Sequence, residues 1–176
     1  HGQIRQMKKK KELEAENLPR RFADPAHKLA FTGERYVSGH LGPTQHAHHH
    51  RYLFALDLCK GRRVLDIASG EGYGADLLAR HAASVVGIDI SEEAVEYAKA
   101  TYGRPGLEFL RGSATEIPMP DDSFDVVVSF ETIEHLAEQD GALAEMKRVL
   151  RPDGILIMSS PNRPVYSEEP GFQNPF

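Results

Sequence analysis

Three acids and three alternating glycines carry most of the chemistry this chain could perform. Asp66 closes an apolar run, and Gly70, Gly72 and Gly74 alternate through the loop that follows, with Glu71 between them. Asp89 closes a second apolar run about 20 residues further on. Glycine has no Cβ and tolerates positive φ, so such a loop turns sharply and lets a ligand approach the backbone before a helix begins near Ala75. Gly70, Gly72 and Ala75 also satisfy a dinucleotide pattern that offers backbone N–H groups to a pyrophosphate. The carboxylates oppose that ligand: Asp66 and Glu71 put negative charge where phosphates would sit, whereas a ligand with cationic groups is favoured there. Asp89 is placed to accept both hydroxyls of a ribose, or to serve as a capping acid for the next helix.

Other reactive side chains are less decisive. His135, in Glu131-Thr132-Ile133-Glu134-His135-Leu136, could act as a general base on a hydroxyl or amine, or merely pin the helix that follows. His46, His48, His49 and His50 have helical spacing that can chelate a transition metal, but no HExxH pattern accompanies them, and surface histidines at this density also bind metal adventitiously. We expect no native metal site. Cys59 lies on an apolar helical stretch and is a poor nucleophile; a single cysteine forms no internal disulfide, which points to a reducing compartment and a cytoplasmic protein.

The elements that must position these groups alternate in type. The pattern predicts a helix over residues 45 to 59, a strand over 63 to 67, a helix over 75 to 81 with Leu77 and Leu78 inward, and a strand ending at Asp89. Ser91 is a plausible N-cap for a helix to Tyr102 carrying Ala94, Val95 and Ala98 on one face. Strands follow at 107 to 110 and in FDVVVSF, whose unbroken β-branched run implies burial on both faces. A helix from Ala137 to Leu150 shows Leu143, Met146 and Leu150 on one stripe; Arg151-Pro152-Asp153-Gly154 reads as a stop before a fifth strand, ILIMSS. Alternation of this kind predicts a doubly wound, mostly parallel sheet with helices on both faces. In such a sheet ligands lie beyond the carboxyl ends of the strands, where Asp66 to Gly74, Asp89-Ile90, Gly112-Ser113-Ala114 and Ser129-Phe130-Glu131 all fall.

Composition sets the bounds. The chain has 176 residues, 40% hydrophobic, enough for one domain with a real core. A net charge of −5 leaves no basic surplus for gripping nucleic acid. No apolar run approaches the ~18 residues that span a bilayer. Residues 1–44, with lysines 8 to 11 followed by glutamates and a Pro- and Gly-rich lead-in, read as an arm; residues 45–176 read as the core domain.

The loop Asp66-Ile67-Ala68-Ser69-Gly70-Glu71-Gly72, the run from Gly112 to Leu136 and LRPDGILIMSSPN together resemble the class I S-adenosylmethionine-dependent methyltransferases of the small-molecule type, whose first motif reads D/E-x-G-x-G-x-G. Ala68 replaces the first glycine. The resemblance covers roughly residues 31 to 176 and implies a Rossmann-like fold. It implies that Asp66 helps hold the ammonium of the methionine moiety and that Ile90 packs on the adenine, although a plain core role suits Ile90 as well. By the same resemblance Ser113 and Ala114 border the adenine, and the lead-in FTGERYVSG closes over the cofactor with Tyr36 as candidate, although an ordinary loop role suits Tyr36 as well. Phe130 and His135 would lie near the transferred methyl. The implied cofactor is S-adenosylmethionine, with S-adenosylhomocysteine as product, and the implied acceptor is an oxygen or nitrogen nucleophile of a small molecule or glycan precursor. Relatives usually finish with a sixth and a seventh strand that this sequence lacks, so a sheet ending here would expose an edge and invite a homodimer. The alternatives are an NAD(P)-binding oxidoreductase and a non-catalytic fragment that keeps the cofactor fold.

Overall fold

Buried β-branched and aliphatic runs set the framework. Arg63–Ile67 forms β1, Ser84–Asp89 β2, Leu107–Arg111 β3, Phe124–Phe130 β4 and Leu150–Ser159 β5. The structure, a computed structural model, describes residues 43–161, with side chains over 49–161. Tyr36, the lysine-rich arm and the side chains of His46 and His48 lie outside the described residues. The helices are α1 (Pro43–Cys59), α2 (Tyr73–Ala79), α3 (Glu92–Tyr102) and α4 (Gln139–Val149), with a short 3-10 turn at Ile133–His135.

All four strand pairings are parallel, and the order across the sheet is β3-β2-β1-β4-β5. The chain therefore winds outward from β1 to β3, then returns to lay β4 on the other side of β1. Loops leaving β1 and β4 consequently diverge, which opens a crevice above their carboxyl ends. β1 and β4 lie at the centre and are buried almost throughout, as the unbroken apolar runs require. Leu65, Ile67, Ile88 and Val127 of the sheet pack with Met146 and Val149 of α4. Ser91 caps α3 as expected, its hydroxyl accepting from the Ala94 N–H at 3.3 Å.

Two expectations are corrected. The inward stripe of α4 is Ala142, Met146 and Val149, an i, i+4, i+7 set, while Leu143 is 37% exposed. Leu150 belongs to β5, not to the helix. Nor does Arg151-Pro152-Asp153-Gly154 end one element before another starts: β5 runs through it, absorbing it as an irregularity in register opposite Phe124 to Val126. Proline is tolerated there because β5 pairs only with β4 among the described strands, so an N–H facing away from β4 has no ladder bond to lose.

Arg148, near the end of α4, ties the segment between β3 and β4 to the helix. Its guanidinium donates to the carbonyls of Ile117 at 2.9 Å and Met119 at 2.8 Å, and to the carboxylates of Glu145 and Asp121 at 2.7 Å. At the amino ends of the strands, Asp125 accepts from the backbone N–H of Arg63 at 2.8 Å and from the side chain of Arg151 at 2.5 Å. Those two hydrogen bonds, the backbone one foremost, hold its carboxyl well below the usual carboxylate range.

Candidate functional site

The glycine loop is shaped by its own backbone. Ala68, Gly70 and Gly72 have φ of 58°, 54° and 87°, so the left-handed turn survives although alanine stands first. A Cβ in that region costs about 1 kcal/mol, so Ala68 holds its place under mild strain. A Cβ built on Gly70 meets nothing within 4 Å, which leaves open space beside the loop for a ligand. Gly72 ends the loop as the residue before α2.

Asp89 anchors this loop. One carboxylate oxygen accepts from the Gly70 N–H at 2.8 Å, the other from the Ser91 N–H at 2.9 Å. It is only 8% exposed, and each oxygen keeps a lone pair for a further donor. Ser91 rather than Asp89 caps α3, and Asp89 orders the backbone on either side while its oxygens remain acceptors at the strand end.

Asp66 is treated differently. It lies within β1 and is fully buried, and the Tyr52 hydroxyl of α1 donates to both its oxygens at 3.1 and 3.2 Å. Burial pushes its carboxyl up to about 8; the Tyr52 hydrogen bond pulls the other way, and the charge of Asp89 adds to the rise. The Tyr52 ring stands edge-on to Tyr73, centroids 5.4 Å apart, and to Phe130 at 5.0 Å. Gly74 makes room for it, since a Cβ there would lie 2.0 Å from the Tyr52 ring.

Beyond β2 and β3, Ile90 is 70% exposed and lines a shallow depression of about 440 Å³ with Arg111, Gly112, Ser113, Glu116, Ile117 and Pro118. An exposed isoleucine at a strand end is no core residue, so the plain core role is set aside. Ser113 lies in this depression with its hydroxyl 2.8 Å from that of Thr115, while Ala114 packs against the core instead. Arg111 donates to the Ile90 carbonyl at 3.3 Å and so holds the rim.

At the end of β4, Glu131 has φ 51° and pairs with Arg51 of α1 at 3.2 Å, also accepting from the Ser159 hydroxyl at 2.8 Å. The 3-10 turn then presents His135, whose side chain is 45% exposed and 4.0 Å from the Glu134 carboxylate. Burial, reinforced by Glu131, raises the Glu134 carboxyl above its ordinary value. Cys59, buried at the end of α1, has its thiol pushed up to about 12 by burial, with the charge of Asp66 adding to it; that is a thiol unsuited to attack. Among the described residues no cluster of three or more His, Cys, Asp or Glu side chains could hold a metal. No helix among them is long and apolar enough to cross a membrane.

Sequence reasoning missed Arg51, Tyr52 and Arg111 as site residues, and placed Glu131 at a strand end without its partners. Tyr52 falls inside the helix predicted over residues 45 to 59 with nothing to single it out, because its partner Asp66 is 14 residues away on another element. The one signal was Gly74, a glycine inside a helix, which marks a close approach by something large.

A parallel sheet of order β3-β2-β1-β4-β5, with a glycine loop leaving β1 where the winding reverses, defines a doubly wound α/β domain. Residues 65–158 match the family described as methyltransferase domain, and the chain belongs to that family. It is 41% identical over 149 residues to a protein of Mycolicibacterium smegmatis named as a probable S-adenosylmethionine-dependent methyltransferase, covering 84% of this chain and 56% of that protein. It is 39% identical over 111 residues to phthiotriol/phenolphthiotriol dimycocerosates methyltransferase 1 of Mycobacterium ulcerans, covering 62% of this chain and 41% of the relative. Its structure superposes on the YcgJ protein of Bacillus subtilis with a TM-score of 0.61 and 31% identity, over 67% of this chain and 54% of that one. The chain thus spans about half the length of the curated relatives it matches. The cofactor class is S-adenosylmethionine, and the dinucleotide reading of the same glycines falls away. The acids fit that group: a cationic ligand finds Asp66 without an ion-pair partner among the described residues, and Asp89 with acceptors to spare.

Proposed function

We propose that this domain transfers a methyl group from S-adenosylmethionine to an oxygen or nitrogen nucleophile of a small molecule or glycan precursor. The observation that carries the reading is Asp89 at the end of β2, which holds the Gly70 amide beside open space and keeps acceptors for a ligand, with Asp66 buried in neighbouring β1 without a cation. In this reading Asp89 takes the ribose hydroxyls, Asp66 faces the ammonium end, and Ile90, Ser113 and Ala114 border the adenine. Phe130 closes the floor towards the acceptor, and Tyr36, outside the described residues, belongs to the covering segment.

The sulfonium supplies a methyl whose leaving group is already activated. What remains for the protein is alignment and exclusion of water, a proximity effect worth several kcal/mol. In this reading the acceptor lies beside Phe130 and His135, beyond the carboxyl ends of β1 and β4. In this reading His135, half exposed in the turn after β4, takes the proton that a hydroxyl or amine nucleophile loses on methylation. A relative named for phthiotriol substrates, alcohols by that name, agrees with an oxygen nucleophile.

Titration calorimetry with S-adenosylmethionine, S-adenosylhomocysteine and NADH tests the cofactor half of this proposal. Binding of the first two and not of NADH is expected; tight NADH binding with neither of the others overturns it. For the acceptor half, His135→Ala should lower methyl transfer to a hydroxyl acceptor at least tenfold while leaving S-adenosylhomocysteine affinity intact.

A further inference from the structure

We propose that Tyr52 is a positioning residue for the amino end of the cofactor: its hydroxyl holds the Asp66 carboxyl group in the orientation that a ligand ammonium requires. The inference rests on the function proposed above.

Three observations converge on it. The hydroxyl donates to both carboxylate oxygens, at 3.1 and 3.2 Å, and no other hydrogen bond reaches that side chain among the described residues. The ring cannot swing aside without cost, because Tyr73, Phe130 and the bare Cα of Gly74 enclose it. And the preceding residue makes the same kind of contact one strand away: Arg51 pairs with Glu131 at 3.2 Å, and β1 and β4 are neighbours in the sheet. Consecutive residues of α1 therefore hold the two acids that flank the crevice. A helix used only for packing would not need both.

The ionisation argument has a definite direction. Asp66 faces Tyr52 and Cys59 from α1, Asp89 from β2 and, beyond the Tyr52 ring, Tyr73 from α2. None of these is a cation at neutral pH, so burial and Asp89 favour the protonated acid, and only the Tyr52 hydroxyl favours the anion. An ammonium bound at or across that hydroxyl also favours the anion. Binding at neutral pH therefore expels the carboxyl proton, and Tyr52 lowers the cost of doing so.

Calorimetry of S-adenosylhomocysteine binding between pH 6 and 9, in two buffers of different ionisation enthalpy, reads both quantities. In the unmodified protein affinity should rise up to about pH 8 and binding below that should release a proton; pH-independent binding without proton release overturns the proposal. Tyr52→Phe keeps the ring and removes the donor. It should weaken binding about tenfold at pH 7 and displace the pH curve upward by about one unit, the two curves converging at high pH. A loss equal at every pH, or no loss, shows a packing role and overturns the proposal. Asp66→Asn should abolish the proton release, and its persistence in that variant overturns the proposal even if Tyr52→Phe does not fold. Failure of the unmodified protein to bind S-adenosylhomocysteine at any pH strikes the proposed function instead.

Discussion

Asp66 and Asp125 are the same residue type on neighbouring strands of one sheet, and they are held in opposite ways. Asp125, at the amino end of β4, accepts from the Arg63 backbone and from Arg151, and its proton is bound more weakly than usual. Asp66, near the carboxyl end of β1, has one hydroxyl for company, and its proton affinity is pushed up to about 8. The amino edge of the sheet neutralises its charge and gains stability. The carboxyl edge leaves its charge wanting a cation, a stability cost that a positively charged ligand removes.

The largest expected disturbance of this contrast comes from Gly74→Val, which forces Tyr52 off Asp66. A loss of about 3 kcal/mol is expected in denaturant unfolding, together with loss of S-adenosylhomocysteine binding. Asp89→Ala comes next: removing the acceptor of two loop amides should cost about 2 kcal/mol and weaken S-adenosylhomocysteine binding about 100-fold. Unchanged affinity in that variant would sink the ribose assignment.

The pH dependences of the two aspartates should have opposite signs. The folded state holds the Asp125 proton less tightly than the unfolded chain does, so its contribution is present above about pH 4 and fades as pH falls below that. Asp125→Asn should cost about 1 kcal/mol at pH 7, less at pH 3, and leave cofactor affinity alone. The folded state holds the Asp66 proton more tightly, its carboxyl pushed up from the ordinary 3.8 to about 8, so stability falls as pH rises through that window. Melting of Asp66→Asn should lack this decline between pH 6 and 8; an identical decline would remove Asp66 from the account. The smallest effect is expected from Ala68→Gly. Relief of the left-handed alanine, partly offset by the added freedom of the unfolded chain, should raise stability by about 0.5 kcal/mol.

Much of this was legible in the chain. β1 and β4 fall where the unbroken aliphatic runs place them, because a strand buried on both faces tolerates little else. Asp89 and the glycines were legible because a turn and a strand end constrain residue type locally. Arg51 and Tyr52 were not, since their partners are set by how α1 lies over the sheet. In α4 the bulk of Leu143 suggested the wrong stripe, whereas helix packing against the sheet selects the small Ala142. The Pro-Gly pair in β5 read as a stop because those residues break central strands, and among the described strands β5 lies at the edge.

The grip of Arg148 on the carbonyls of Ile117 and Met119 bears on binding from a distance. The depression beside Ile90 is walled by the segment those carbonyls belong to. That wall is set when the chain folds, so the adenine proposed for this depression would meet a surface with little disorder left to quench. Affinity at this end should then change little with temperature-driven loosening of loops, and a substitution at position 148 would be felt as slower capture of the ligand long before it altered any atom the ligand touches.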